Sequence, residues 1–228
     1  MLLEVCLAGV ESAVAAQAGG AGRVEMCENL VAGGTTPSYG TMALVRERLT
    51  IPVHVMIRPR GGDFCYADLE LEVMRRDIAA AKALGVDGVV LGVLTADKEI
   101  DVVRTAVLIN AARPLSVTFH RAFDVAADPH VAFTALLDLG IDRLLTSGQQ
   151  ATAWEGRGLI RELVRWANGR MHILAGSGIN LQNAAQLVAE TGIHEIHAGS
   201  SCAETVADGT QSVSVERVRG LVTAVTSL

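Results

Sequence analysis

Two short runs near the start of the chain share an ending: Glu4-Val5-Cys6 and Glu25-Met26-Cys27. In each, a carboxylate and a thiol stand two residues apart, so in an extended strand both point to one face. Neighbouring strands lie about 4.8 Å apart, which would let the two sulfurs meet one soft ion or approach disulfide geometry. Two thiolates near Met56 or a histidine suit Cu(I) better than a hard cation. Zinc fits less well, because no four-ligand tetrahedral set is visible. A buried cysteine is also a good small hydrophobe, so the residues alone leave metal binding and inert packing both open. The other thiols, Cys65 and Cys202, fall in expected loops with no evident partner, and none of the four shows zinc-type CxxC spacing.

A second group of residues suggests a different chemistry. Arg58-Pro59-Arg60-Gly61-Gly62-Asp63 is a basic, permissive loop that suits an anion, or else a tight turn with a solvated Arg60. His120-Arg121-Ala122-Phe123-Asp124 places a histidine and a carboxylate four apart, as a hydrogen-bonded pair or as a loop brace. Gly176-Ser177-Gly178 and Gly199-Ser200-Ser201 are glycine- and serine-rich ends of apolar runs. They read as phosphate cradles or simply as short turns. Together these residues outline an enzyme for a small anionic substrate, phosphorylated substrates included. Glu25 would be acid or base, with Arg58, His120 and Asp124 as further catalytic candidates. Arg58 and Arg60 would clamp the anion, with Gly176, Ser177, Gly178, Gly199 and Ser200 around it. Glu155, in Thr152-Ala153-Trp154-Glu155-Gly156, is expected to close over the rim.

The elements that must position these residues show a repeat. Segments 19–27, 84–92, 139–147 and 191–199 each carry a glycine in second place, then a short apolar run. Gly20, Gly85, Gly140 and Gly192 are therefore expected just past helix ends, where a positive φ costs glycine little. Their separations of 65, 55 and 52 residues suit one βαβα unit each. Apolar runs at 2–6, 52–58, 114–121 and 171–177 interleave with them and bring the expected strands to eight. The clearest helices are 66–84, 128–139 with Asp128-Pro129 at its start, 181–190 with Asn180 as N-cap, and 213–226. Strict alternation predicts an α/β fold, a (β/α)8 TIM-type barrel in a single domain over 1–228. An open doubly wound sheet is the weaker alternative, since no GxGxxG follows the first strand. Setting the apolar strand positions outward turns Glu4, Cys6, Glu25, Cys27, His54, Met56, Arg58, Thr118 and His120 inward. Buried carboxylates need partners, and Arg58, a protonated histidine or a cation is expected to serve Glu4 and Glu25.

Composition narrows the function classes. Half of the 228 residues are apolar, which excludes a disordered chain, and the formal net charge is -6. No Lys/Arg block favours nucleic acid, and no run of 18 apolar residues favours a membrane span. No basic leader opens the chain, so a cytoplasmic protein with reduced thiols is expected.

Several long runs resemble the copper homeostasis protein CutC family: 4–40, 51–66 with MIRPRGGDF, 117–124 with TFHRAFD, 142–148 and 152–156. The resemblance covers nearly the whole chain up to about residue 200. It implies a TIM-type barrel, a cytosolic homo-oligomer of two or more copies, and copper as ligand, Cu(I) bound by Cys6 and Cys27. Where the family's seventh strand reads MPGGG, this chain has Leu174-Ala175-Gly176-Ser177-Gly178. The resemblance attaches no reaction to the fold.

Overall fold

The computed structural model describes residues 1–205 and 210–226. Eight parallel strands close into a barrel in chain order. They are β1 (Leu2–Leu7), β2 (Arg23–Met26), β3 (Val53–Met56), β4 (Gly88–Leu91), β5 (Ser116–Phe119), β6 (Arg143–Thr146), β7 (His172–Gly176) and β8 (Glu195–Ala198). Around them run α1 (Val10–Ala18), α2 (Tyr39–Arg48), α3 (Asp68–Ala83), α4 (Val102–Ala112), α5 (Pro129–Asp138), α6 (Arg157–Ala167), α7 (Ala184–Thr191) and α8 (Val215–Thr226). The expected (β/α)8 barrel is therefore present. Among the described residues, no helix is long and apolar enough to cross a membrane.

The four repeat glycines behave as their positions require. Gly20, Gly85, Gly140 and Gly192 have φ of 95°, 73°, 70° and 74°. Each turns the chain out of a helix and into the next strand, in a conformation that a Cβ disfavours. At α5, Asp128 caps the helix by accepting from the His130 and Val131 N–H groups, and Pro129 follows it. The start of α7 differs from expectation. Asn180 is not its cap: its side chain accepts from Gln182 N–H, and its own N–H donates to Asn183, so the helix begins at Ala184. A local turn satisfies those groups first. A short antiparallel hairpin, β9 (Ala203–Thr205) and β10 (Gln211–Val213), follows β8 and was not foreseen.

The outward strand faces make the core. Val5, Val24, Met26, Val53, Val55 and Val117 are fully buried against the helices. Inside the barrel the lower layer is charged rather than aliphatic. Arg23 bonds both Glu4 and Glu195, the latter at 2.6 Å. Arg143 bonds Glu195 through Nε and Nη2. Of the partners expected for Glu4, a histidine is present, His197 of β8, but Arg58 is not: it sits too high in the barrel, and Arg23, one strand over, supplies the guanidinium. Burial alone would raise both carboxyls. Arg23 together with His197 outweighs it at Glu4, and Arg143 together with Arg23 does so at Glu195, so both lie below their ordinary value of 4.5.

Replacing Arg23 by Met would take from buried Glu4 and Glu195 the guanidinium they share, leaving Glu195 with Arg143 alone; breaking such a buried pair costs about 3–5 kcal/mol. Urea unfolding at pH 7 should show that loss. The two carboxyls also set an acid limit. Their contribution is full above the unfolded-chain value near 4.5 and is lost as pH falls from there through the lower folded values. Wild-type stability followed by urea between pH 6 and 3 should fall along that course, and less steeply in the Arg23→Met protein.

Candidate functional site

Cys6 lies in β1 and Cys27 directly after β2. The β1–β2 register sets Cys6 beside Glu25, so Cys27 is the next inward position toward the C-terminal mouth. The two sulfurs come within 3.8 Å. Met56 and Val90 pack with Cys27, and Cys6 closes that small cluster. Gly34, at φ +86°, lies directly over it. A Cβ there would stand 3.2 Å from the Cys27 sulfur and 3.4 Å from Met56 Cε. The β2–α2 loop can press on the thiol only because Gly34 has no side chain.

Two further groups complete the arrangement. Cys27 donates to Glu25 Oε2 at 3.5 Å. His197, inward-facing in β8, holds Glu4 Oε1 through Nδ1 at 2.8 Å and brings Nε2 to 3.9 Å from Glu25 Oε2. Donor atoms of Cys6, Glu25 and Cys27 all lie within 4.8 Å of one another. The proton inventory is uneven. The hydrogen bond from Cys27 lowers the Cys6 thiol well below its ordinary range, and His197 adds to this against burial. Cys27 is pushed up, first as the donor to Cys6 and then by burial. Burial, with the Cys6 charge beside it, also raises Glu25. At His197 burial disfavours the imidazolium, but hydrogen bonds to Cys6 and Glu4 win and raise it well above 6.5. The neighbours therefore favour a thiolate at Cys6 and the protonated forms of Cys27, Glu25 and His197. Such a set can ligate a soft cation or act as a nucleophile.

Above these residues a cavity of about 900 Å³ opens at the barrel mouth. Cys6, Glu25, Cys27, Met56, Arg58, His120 and His197 border it, and so do Ser177, Gly178, Gly199 and Ser200. Other expected site residues lie off its wall. Arg60 bonds Glu70 at 2.6 Å and Asp63 at 3.1 Å in its own loop. Gly176 lies in β7 with Leu145 and His197 packed over its backbone. Asp124 and His120 do not pair. A 3-10 turn at 121–125 carries Asp124 to the end of β6, where it accepts from Thr146, Ser147 and Gln149 and pairs with Arg121 at 2.7 Å. Glu155 does not close over the rim: it accepts from Thr152 N–H and Oγ1 at 3.1 Å each and locks its own turn. Cys65 is exposed, and Cys202 is buried, with its thiol pushed up to about 11 by burial.

Sequence reasoning missed His197, together with Arg23, Arg143 and Glu195. The signal was present in the sequence. Ile196 and Ala198 are buried outward positions, so the alternation used for β1, β2, β3 and β5 also turns Glu195 and His197 inward in β8.

Known proteins resemble this chain in sequence and fold. The CutC family model matches residues 1–202. A family protein CutC of Bacteroides fragilis is 54% identical over 197 residues, 86% of this chain and 78% of that protein. The copper homeostasis protein cutC homolog of Homo sapiens is 50% identical over 196 residues, 86% of this chain and 72% of its own. The crystal structure of CutC from Streptococcus agalactiae matches with a TM-score of 0.83 at 38% identity, over 88% of this chain and 98% of that one.

A lowered Cys6 beside raised Cys27 and Cys202 predicts selective alkylation. With iodoacetamide at pH 6, where an ordinary thiol is almost wholly protonated, peptide mass spectrometry should find Cys6 modified about tenfold or more faster than the exposed Cys65. Cys27→Ala should remove most of that advantage, and His197→Ala part of it. Equal rates at Cys6 and Cys65 would contradict the proton arrangement.

Proposed function

The chain belongs to the CutC family, and from that membership we propose that it is a Cu(I)-binding protein of copper homeostasis, with Cys6 and Cys27 as the ligands. The observation that carries the reading is the pair of sulfurs 3.8 Å apart at the floor of an open cavity. Thiolates are the donors Cu(I) prefers. With metal–sulfur bonds of about 2.3 Å, as for zinc thiolates, that separation subtends about 110° at the ion. A bent pair leaves a position free on the cavity side, through which an ion enters and leaves. Cys6 ionises the more readily of the two, whereas Cys27 must lose its proton to bind. The copper named for the human relative supports the choice of ion. A reducing cytosol is the compartment in which such a thiol pair stays open.

A Cu(I) competition titration against a chromogenic chelator, run anaerobically with reductant, tests this directly. Wild type should bind one ion per chain, and the Cys6→Ser, Cys27→Ser double variant should not compete. Because binding displaces the Cys27 proton, wild-type affinity should tighten as pH rises. Weak wild-type binding, or binding untouched by the double substitution, would sink the copper reading.

A further inference from the structure

A bound ion needs only the floor of the cavity. Its wall also holds a second cluster that copper chemistry does not use. Arg58 is buried, and its guanidinium donates to main-chain carbonyls: Ala32 and Gly34 at 2.9 Å each, and Gly62 at 2.7 Å. Among the described residues, no carboxylate forms an ion pair with it within 4.0 Å, and its buried Nε has no partner. A buried cation without an anion is costly to keep.

His120 stands close by. Both side chains pack on Phe64, the Arg58 guanidinium carbon 4.8 Å and the His120 ring 4.9 Å from that ring's centre. His120 Nδ1 accepts from the Ala122 N–H at 3.2 Å, so in the neutral ring the proton must sit on Nε2. The ring is neutral because burial, with the Arg58 charge beside it, lowers it to about 3. Nε2–H is thus a fixed donor, and it too is buried without a partner. Arg58, Phe64 and His120 all border the same cavity. Two orphaned donors, one on an unpaired cation, are matched by an oxygen that carries negative charge. The rest of the wall is largely apolar, with Leu7, Leu145 and Ile179 in it. A volume of about 900 Å³ falls in the range that holds small organic molecules.

We propose that the Arg58–His120 wall binds the oxyanion of a small organic acid, carboxylate or phosphate ester, whose carbon skeleton occupies the apolar part of the cavity. Arg58 supplies charge and an Nε–H, and His120 supplies a neutral Nε2–H. Phe64, half-buried in the wall beside both, is the side chain that gives way as the oxyanion reaches them. The site stands apart from the copper reading, since neither Cys6 nor Cys27 takes part in it.

The test is a calorimetric titration of the full chain in two arms. Phenylacetate is set against its uncharged amide in one, and glycerol 3-phosphate against glycerol in the other. The arm that binds, with a Kd of about 1 mM or tighter, identifies carboxylate or phosphate, and its uncharged counterpart should bind at least tenfold more weakly. His120→Phe keeps an aromatic ring against Phe64 but removes the donor, and should weaken the acid about tenfold. Arg58→Gln should weaken it further. If that variant fails to fold, His120→Phe decides the matter, its melting curve serving as the folding control. The ¹⁵N–H signal of His120 Nε2 should move on addition of the binding acid. No saturable binding in either arm, equal binding of acid and uncharged counterpart, or full affinity in a folded His120→Phe protein would overturn the proposal.

Discussion

The interior of this barrel depends on one guanidinium. Arg23 stands between Glu4 on β1 and Glu195 on β8, and Arg143 takes the free side of Glu195. Most barrels of this type fill that level with aliphatic side chains. Here the same volume holds full charges, and each survives because its partner is fixed by strand register. The ladder pairs Glu4 with Arg23 on one side and with His197 on the other. A slip of one residue would turn those groups into the helices and bring valines inside. The network therefore helps to define which register can close.

The candidate metal site inherits its electrostatics from that layer. Glu4 faces Arg23 below and His197 above, and His197 in turn faces Cys6. Glu4, Glu195 and the Cys6 thiolate stand against Arg23, Arg143 and the His197 imidazolium, so the column is close to neutral. Cys6 can carry charge because Cys27 donates a hydrogen bond to it and a positive ring adjoins it, while Cys27 and Glu25 are shifted toward keeping their protons. Two chemically equal thiols become unequal through their neighbours alone.

The cavity above is larger than an ion needs, and its two sides differ. One side offers sulfur and a proton-rich acid–imidazolium pair. The other offers a buried guanidinium held by carbonyls and a neutral imidazole with its donor fixed. Both are set on strand ends or just past them, where the barrel is rigid, while the loops that carry Gly34 and Ser177 form the rim.

Local pattern in the sequence was enough to determine the barrel. Alternating apolar runs and helices, with Gly20, Gly85, Gly140 and Gly192 at helix ends, give eight βα units, because period and backbone chirality act over a few residues. The same alternation turned Cys6, Glu25, Cys27, Arg58 and His120 toward one axis. What it could not give is who pairs with whom. Arg23 rather than Arg58 serves Glu4, Asp124 goes to the end of β6 rather than to His120, and Arg60 folds back on Glu70. Those choices follow from barrel stagger and from the path of each loop, which join residues far apart in the chain. The ionised state of Cys6 belongs to the same class. It depends on Cys27 and on His197, 21 and 191 positions away, and only closure of β8 onto β1 brings that imidazole beside it.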